Sequence, residues 1–323
     1  MTSQAAMTYA VEAYNLSHAS ENKIHDDAIA RKLGFSGGLV PGVEVYAYAC
    51  HLPVARWGRA WLEGGRMDCR FLKPVYDGRI ATVSGKETGG SLDINVESDG
   101  ILCATATATL PCSSDSRPHP VVPSPIVPEA RLRHDVGEGQ GGGDSRTTAV
   151  GVPPTPSPSP QGGGEERAGL SVPPSIGDYP LLAPPTERPP ADETSLAAGT
   201  TLGIRPFALT EDLATQYLRD VRETDPIYAR EGLAHPGQLL RLCNLILREN
   251  VVLQPWVHTG SKVTNFAAGR FGDELSARGK VSANYERKGH RLVDIDIILI
   301  ANGSTVLAHV LHTAVYRLRQ LAS

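Results

Sequence analysis

The segment Ser20-Glu21-Asn22-Lys23-Ile24-His25-Asp26-Asp27, followed by Gly37-Gly38-Leu39-Val40-Pro41-Gly42, decides how the rest of the chain is read. It places a histidine on a loop just before a short helix, expected over 26–33. A glycine-rich turn then enters a second helix, expected over 42–51, with Val43, Tyr46, Ala47 and Cys50 at helical spacing. Pro53 is expected to end that helix. A histidine opposite the first amides of a helix suits proton transfer beside a thioester carbonyl. Imidazole titrates near neutrality, and a helix N-terminus favours a developing negative oxygen.

Working outward, the residues after this segment read as strands. Arg70-Phe71-Leu72-Lys73-Pro74-Val75-Tyr76-Asp77-Gly78-Arg79 puts a turn at Asp77-Gly78 between two strand-like runs inside 66–87. A run over 91–96, a turn at Asp99-Gly100 and a long strand over 101–110 follow. In that last strand Ala104-Thr105-Ala106-Thr107-Ala108-Thr109 alternates with the period of a half-buried strand.

The same order returns later. Helices are expected over 213–221 and 237–250, the second apolar through Leu239, Leu240, Cys243, Ile246 and Leu247. Strands are expected over 262–271, 274–286, 290–300 and 306–319, with turns at Gly272-Asp273, Lys288-Gly289 and Asn302-Gly303. Leu292, Ile295, Ile297 and Leu299 are too continuous for a strand wetted on one face, so that strand is expected in the middle of its sheet.

Between the two blocks the composition changes. Of 25 prolines, 18 lie between Pro111 and Pro190, and Gln140-Gly141-Gly142-Gly143-Asp144 is echoed by Gln161-Gly162-Gly163-Gly164-Glu165. Few residues there can fill a core, so the cost of ordering is not offset. The chain is expected to comprise an N-terminal domain over 1–112, a disordered Pro/Gly/Ser-rich linker over 113–195 and a C-terminal domain over 196–323.

Composition excludes several classes. A net charge of −4 with no long basic run argues against nucleic acid as a partner. No stretch of apolar residues is long enough for a membrane span, and the N-terminal residues lack the basic start of a signal peptide. Five cysteines without CxxC spacing point to reduced thiols and a cytoplasmic setting. His309 and His312 fall on opposite faces of a strand with no third ligand at useful spacing, so no metal site is expected.

With these motifs in this order, twice, the chain resembles the MaoC-like hydratases and dehydratases of acyl-thioester metabolism, which have the hotdog fold. The resemblance covers both blocks and omits the linker. It implies an α+β architecture of two hotdog domains, each a curved antiparallel sheet wrapped around a central helix, paired as a pseudo-dimer within one chain; further pairing of chains is left open. The family's loop motif runs Asp, any residue, Asn, Pro, an aliphatic, His. Asn22, Ile24 and His25 match it; Ser20 stands for the aspartate and Lys23 for the proline. In the second block Glu223, Asp225, Pro226, Ile227 and Tyr228 occupy the motif, with glutamate for aspartate and tyrosine for histidine. Phe71 to Gly78 and Phe266 to Asp273 are similar to strand-and-turn signatures of the family. Val40-Pro41-Gly42-Val43 resembles the helix start of the carrier-protein dehydratases, whose glutamate aligns with Ala47.

The resemblance implies an enzyme that hydrates an enoyl thioester or dehydrates its 3-hydroxy counterpart, with a CoA or carrier-protein thioester as partner and no cofactor. His25 is the expected base, with Asn22 or Ser20 as its local partner or water ligand. Gly42, with Pro41 and Gly38, is expected to form the oxyanion and substrate contacts. Glu223, Asp225 and Tyr228 are the second-half equivalents, and Tyr228 is expected to support the acyl pocket or to be structural. Two alternatives stay open. One is a thioesterase in which Glu44, otherwise a solvent-facing residue, activates water; the other is an acyl-CoA-binding hotdog protein without catalysis.

Overall fold

Turn chemistry sets the strand pairing. Asp99-Gly100, Lys288-Gly289, Asn302-Gly303 and Gly89-Gly90 each have two consecutive residues at positive φ, between 51° and 88°. That is the geometry of a two-residue hairpin whose twist matches the flanking strands, and it needs glycine, asparagine or another tolerant residue. These four turns therefore join antiparallel neighbours without a crossover.

The structure is a computed structural model that describes residues 7–18, 20–32, 34–111 and 172–319. In the first half, strand β1 (Met7–Glu12) leads through helices α1 (Asp27–Lys32), α2 (Gly42–Trp57) and α3 (Arg59–Gly64) into β2 (Arg66–Phe71), β3 (Ile80–Thr88), β4 (Ser91–Ser98) and β5 (Ile101–Thr109). In the second half, β6 (Thr201–Gly203) and β7 (Phe207–Ala208) precede α4 (Glu211–Asp220), α5 (Ile227–Glu231) and α6 (Pro236–Asn250). The strands β8 (Val257–Asn265), β9 (Glu274–Arg287), β10 (His290–Ala301) and β11 (Thr305–Arg317) complete it.

All described strands join one antiparallel sheet in the order β1-β3-β4-β5-β2-β8-β11-β10-β9-β6, with β7 on β9. The halves meet where β2 pairs with β8, Arg66 opposite Thr264 through Arg70 opposite Gly260. As its unbroken apolar run required, β10 is interior to the sheet, and Val293, Ile295, Ile297 and Leu299 are buried. Helices α2 and α6 pack against each other and against strands of the sheet. Their approach is close because Gly237 has no side chain: a Cβ there would lie 2.5 Å from the Ala47 Cβ and 2.5 Å from the Tyr217 hydroxyl. The small residue at Ala47, where the carrier-protein dehydratases have glutamate, is thus matched to its neighbour.

Several expectations are corrected. Helix α2 runs through Pro53 and stops at Gly58, whose N–H donates to the Val54 carbonyl and whose φ is 58°. One lost amide near the last turn is tolerated because Leu52, Pro53 and Val54 are all buried against the core. Strand β8 begins at Val257 and ends at Asn265, earlier than expected, since its pairing with β2 and β11 rather than its own pattern sets its limits. Glu44 does not face solvent: it is fully buried and ion-paired with Arg241 of α6.

The expected linker reached too far towards the second half. Residues 172–195 lie against the folded core: the Tyr179 hydroxyl donates to Asp296 at 2.8 Å, Arg188 donates to the Arg248 carbonyl at 2.6 Å, the Ala191 amide donates to the Val252 carbonyl at 2.9 Å, and the Val252 amide donates to the Pro189 carbonyl at 2.8 Å. Proline-rich backbone has few N–H groups to satisfy, so a handful of side-chain anchors holds it. The remainder of the expected linker, 113–171, and Cys112 of the expected N-terminal domain lie outside the described residues. Among those residues, no helix is long and apolar enough to cross a membrane. The other four cysteines are buried free thiols.

Candidate active site

A short 3-10 turn, Lys23–His25, carries His25 inward, and the ring is 8 % exposed. Its Nδ1 lies 2.7 Å from the Leu39 carbonyl oxygen. A carbonyl only accepts, so Nδ1 bears the proton and Nε2 presents its lone pair. Burial lowers the ring's pKa to about 4, outweighing the opposite effect of the Leu39 carbonyl. The imidazole is therefore neutral at pH 7, with Nε2 as its basic nitrogen.

Asn22 fixes that nitrogen. Its side-chain amide donates to His25 Nε2 at 3.2 Å and to the Trp256 carbonyl at 3.0 Å, while its oxygen accepts from the Trp256 amide at 3.3 Å. This ties the first half's loop to the second half's chain. Ser20 does not replace the missing carboxylate: its hydroxyl donates to the Asn22 carbonyl at 3.2 Å and makes no bond to the ring. Among the described residues no carboxylate is hydrogen-bonded to His25.

The other first-half candidates separate into two groups. Pro41 and Gly42 stand at the start of α2, where no side chain caps the helix; the Glu44 amide donates to the Pro41 carbonyl at 3.0 Å, which leaves the amides of Gly42 and Val43 without an intrahelical acceptor. Gly38 does not belong with them. Its amide donates to Asp27 Oδ1 at 2.6 Å, and a Cβ there would lie 2.4 Å from the His25 carbonyl oxygen. Gly38 is a close-packing glycine that shapes the loop, and its N–H is not available to substrate.

A cavity of about 340 Å³ opens beside Ser20, Asn22, His25, Pro41 and Val43. Its far wall comes from the second half: Tyr217 and Asp220 of α4, Arg241 and Asn244 of α6, and Trp256. The volume lies in the range of small-molecule sites. Asp220 is the one acid on its wall, and it already accepts from Gln216 at 2.7 Å. A smaller bay of about 30 Å³ shares Asn22, His25, Pro41, Asn244 and Trp256 with it and extends to Gly42 and His258.

The second half repeats the motif and closes it. Glu223 is buried, with its carboxylate accepting from His51 Nδ1 at 2.7 Å, His235 Nε2 at 3.3 Å and the amides of Thr224 and Asp225 at 2.7 Å each. Burial pushes this carboxyl up, but the hydrogen bonds from His235 and His51 win, and its pKa ends well below the usual range. His235 also caps α6, its Nδ1 accepting from the Gly237 amide at 3.0 Å. The amide equivalent to that of Gly42 is thus consumed, and Ala47 and Tyr217 fill the space in front of it. Asp225 caps the Ile227 amide at 2.9 Å. Tyr228 is fully buried, lines neither cavity described above, and packs on His235 with ring centroids 4.7 Å apart, so its place here is structural.

Glu223 is accordingly a structural anchor. A Glu223→Gln variant keeps the shape but turns two acceptor positions into one acceptor and one donor, leaving a histidine or amide N–H facing another donor. The expected loss of stability is about 1–3 kcal/mol in a denaturant titration at pH 7. A loss below 0.5 kcal/mol, on the order of an ordinary surface substitution, would remove the anchoring role.

Sequence reading did not reach Arg241, Asn244, Arg248, Trp256 or His258, all of which lie in the second half and face the first half's histidine. In the sequence, helix α6 is marked only by its apolar members Leu239, Leu240, Cys243, Ile246 and Leu247.

The architecture is a double hotdog. The chain is similar in structure to a conserved hypothetical protein from Mycobacterium tuberculosis with a double hotdog fold: TM-score 0.55, 14% identity, covering 97% of this chain and 96% of that one. A chain described as a MaoC domain protein dehydratase, from Chloroflexus aurantiacus, gives a TM-score of 0.53 at 10% identity, covering 97% and 95%. At such identities the likeness is one of fold. No protein-family model matches the sequence, and no curated protein matches it.

Proposed function

We propose that the protein is an acyl-thioester hydratase or dehydratase whose working site is the His25 site of the first half, and that a CoA ester is its substrate. The observation that carries this reading is the fixed tautomer of His25. The Leu39 carbonyl holds the proton on Nδ1, so a neutral Nε2 stands on the wall of a ligand-sized cavity beside an uncapped helix start.

In the hydration direction, water oxygen bonds to C3 as the C2=C3 electron pair moves towards the thioester carbonyl. His25 Nε2, released by the Asn22 amide as water takes its place, takes a proton from that water. The resulting imidazolium returns a proton to C2, so base and charge are restored. The amide of Gly42 faces the carbonyl oxygen as negative charge develops; a donor of this kind is typically worth about 2.7–4 kcal/mol in the barrier. Asn22 holds the imidazole plane and spans the two halves. The missing aspartate at Ser20 leaves the imidazole without a carboxylate to share the proton.

CoA is favoured over a carrier protein by a second cavity of about 290 Å³ that shares Leu245 and Arg248 with the first. Arg188, Arg205 and Arg248 line it with Glu21 and Glu249; Arg188 is paired with Glu21 at 2.9 Å, so Arg205 and Arg248 are the guanidinium groups free to meet an anion. Guanidinium groups are suited to phosphate oxygens, and CoA carries its phosphates at the far end from the thioester. A thioesterase using Glu44 has less support, because that carboxylate is committed to Arg241 and does not line the cavity.

The test is an assay of the full chain with crotonyl-CoA and a longer trans-2-enoyl-CoA, following the conjugated thioester's absorbance with a thiol-detecting dye alongside. Absorbance loss without thiol release is the expected result. Thiol release would replace this reading with a thioesterase, and saturable binding without turnover would replace it with a binding protein.

A further inference from the structure

His258 enters the first half's site from strand β8 of the second half, and nothing in the loop motif calls for it. The ring is 5 % exposed. Its Nε2 lies 3.1 Å from the Gly260 carbonyl oxygen and 2.8 Å from Ser261 Oγ. Because the carbonyl only accepts, Nε2 carries the proton and Nδ1 presents a lone pair. Ser261 Oγ then donates to His312 Nδ1 at 3.0 Å, and the two imidazoles stack at 4.1 Å, which locks the ring's position.

The lone pair at Nδ1 has no partner within the protein. It points at the start of α2: a Cβ on Gly42 would lie 3.0 Å from it. A side chain at Gly42 would press on both His258 and Phe71, whose ring it would meet at 3.2 Å. Asn244 Oδ1 is a second buried acceptor without a partner, on the same small bay. At about 30 Å³ the bay has room for one water. Its walls carry the His25 ring, these two acceptors and the uncapped start of α2. Unpaired buried acceptors cost stability, so a bay that gathers two of them beside a helix start is organised for a hydrogen-bonding guest.

We propose that His258 Nδ1 holds the reacting water in this bay, the part that the carboxylate replaced by Ser20 would otherwise play. The proposal rests on the hydratase reading and adds a second-half residue to it. The water gives one proton to His25 Nε2 and keeps the other, which His258 accepts as a hydrogen bond. That second hydrogen ends in the product hydroxyl, so His258 is neutral before and after the step. The halves then divide the work, with His25 as the base and His258 aiming the water lone pair at C3.

Two measurements on the full chain test this. In long-range ¹H–¹⁵N spectra of the histidine rings, adding butyryl-CoA, the saturated and unreactive thioester, is expected to shift both His25 and His258. A shift of His25 alone would overturn the proposal while leaving the thioester reading in place; no shift of either would overturn both. The second measurement compares His258→Phe with His258→Asn in crotonyl-CoA hydration. Asparagine puts an oxygen acceptor near the Nδ1 position, whereas phenylalanine keeps only the ring. The phenylalanine variant is expected to lose at least about ten-fold in kcat with KM nearly unchanged, and the asparagine variant to recover most of it. Equal kcat in both variants and the native protein, or equal losses tracking a lowered melting temperature, would overturn the proposal.

Discussion

A His25→Gln variant is expected to lose enoyl-CoA hydration by a factor on the order of 10²–10⁴ in kcat, the usual contribution of a positioned acid–base group. Glutamine fills much of the imidazole's volume and can still donate to the Leu39 carbonyl, but it has no basic nitrogen to take a proton from water. Stability should change far less than activity, because the ring's one strong bond, to Leu39 at 2.7 Å, can be imitated. In the native protein the pH dependence has a definite sign. Protonated His25 cannot act as base, and its pKa is lowered to about 4 by burial. The rate therefore should not decline from this group between about pH 8 and 6, as it would for an unperturbed histidine. An activity that halves near pH 6.5 in a protein that remains folded would show that the working base is a different, solvent-exposed group.

Acid is expected to unfold the protein steeply, and over an unusually high pH range. His25, His258 and His312 are all buried, and burial lowers each pKa, to about 4 for His25, well below the ordinary value for His258 and to about 3 for His312. The unfolded chain binds these three protons near pH 6.5, whereas the folded chain refuses them. Stability is thus unaffected above the unfolded value and falls as pH drops below it. Glu44 works in the opposite sense, since burial raises its pKa and the folded state takes up a proton there first. Glu223 joins the loss once the pH falls into the normal carboxylate range, where the unfolded chain takes up its proton and the folded chain, with its depressed pKa, does not. The net is two to three protons, a slope on the order of 3–4 kcal/mol per pH unit once the histidines titrate. Urea titrations at pH 7, 6 and 5 measure this. Native-like stability at pH 5 would mean that the three imidazoles are solvated in the folded protein, and His312→Phe should lower the slope by about 1.4 kcal/mol per pH unit.

Much of the fold could be read from residues in order. Period-two alternation in 101–110, the glycine-containing turns and the unbroken apolar run in 290–300 depend on local geometry, which neighbouring residues specify. The limits of α2 and β8 were not legible, because Pro53 and the ends of β8 are decided by what packs against them. The segment 172–195 shows the same effect: its proline content signalled disorder, while Tyr179 and Arg188 find Asp296 and Glu21 only once the second half has folded.

For the site, the division follows distance along the chain. The sequence alone determined that a histidine loop precedes a glycine-led helix, that the arrangement occurs twice, and that the second copy has glutamate and tyrosine at the motif positions. It also showed that no aspartate stands at Ser20. Tertiary structure decided which copy is open. His235 caps α6 and Ala47 fills the space before Gly237, whereas Pro41 leaves the start of α2 uncapped. It likewise brought Asn244, Trp256 and His258 to His25 across more than 200 residues of chain. Local pattern reports which face a residue can present. Which residues meet across that face depends on the pairing of β2 with β8 and of α2 with α6, a choice made by burial of the whole core rather than by any short stretch of it.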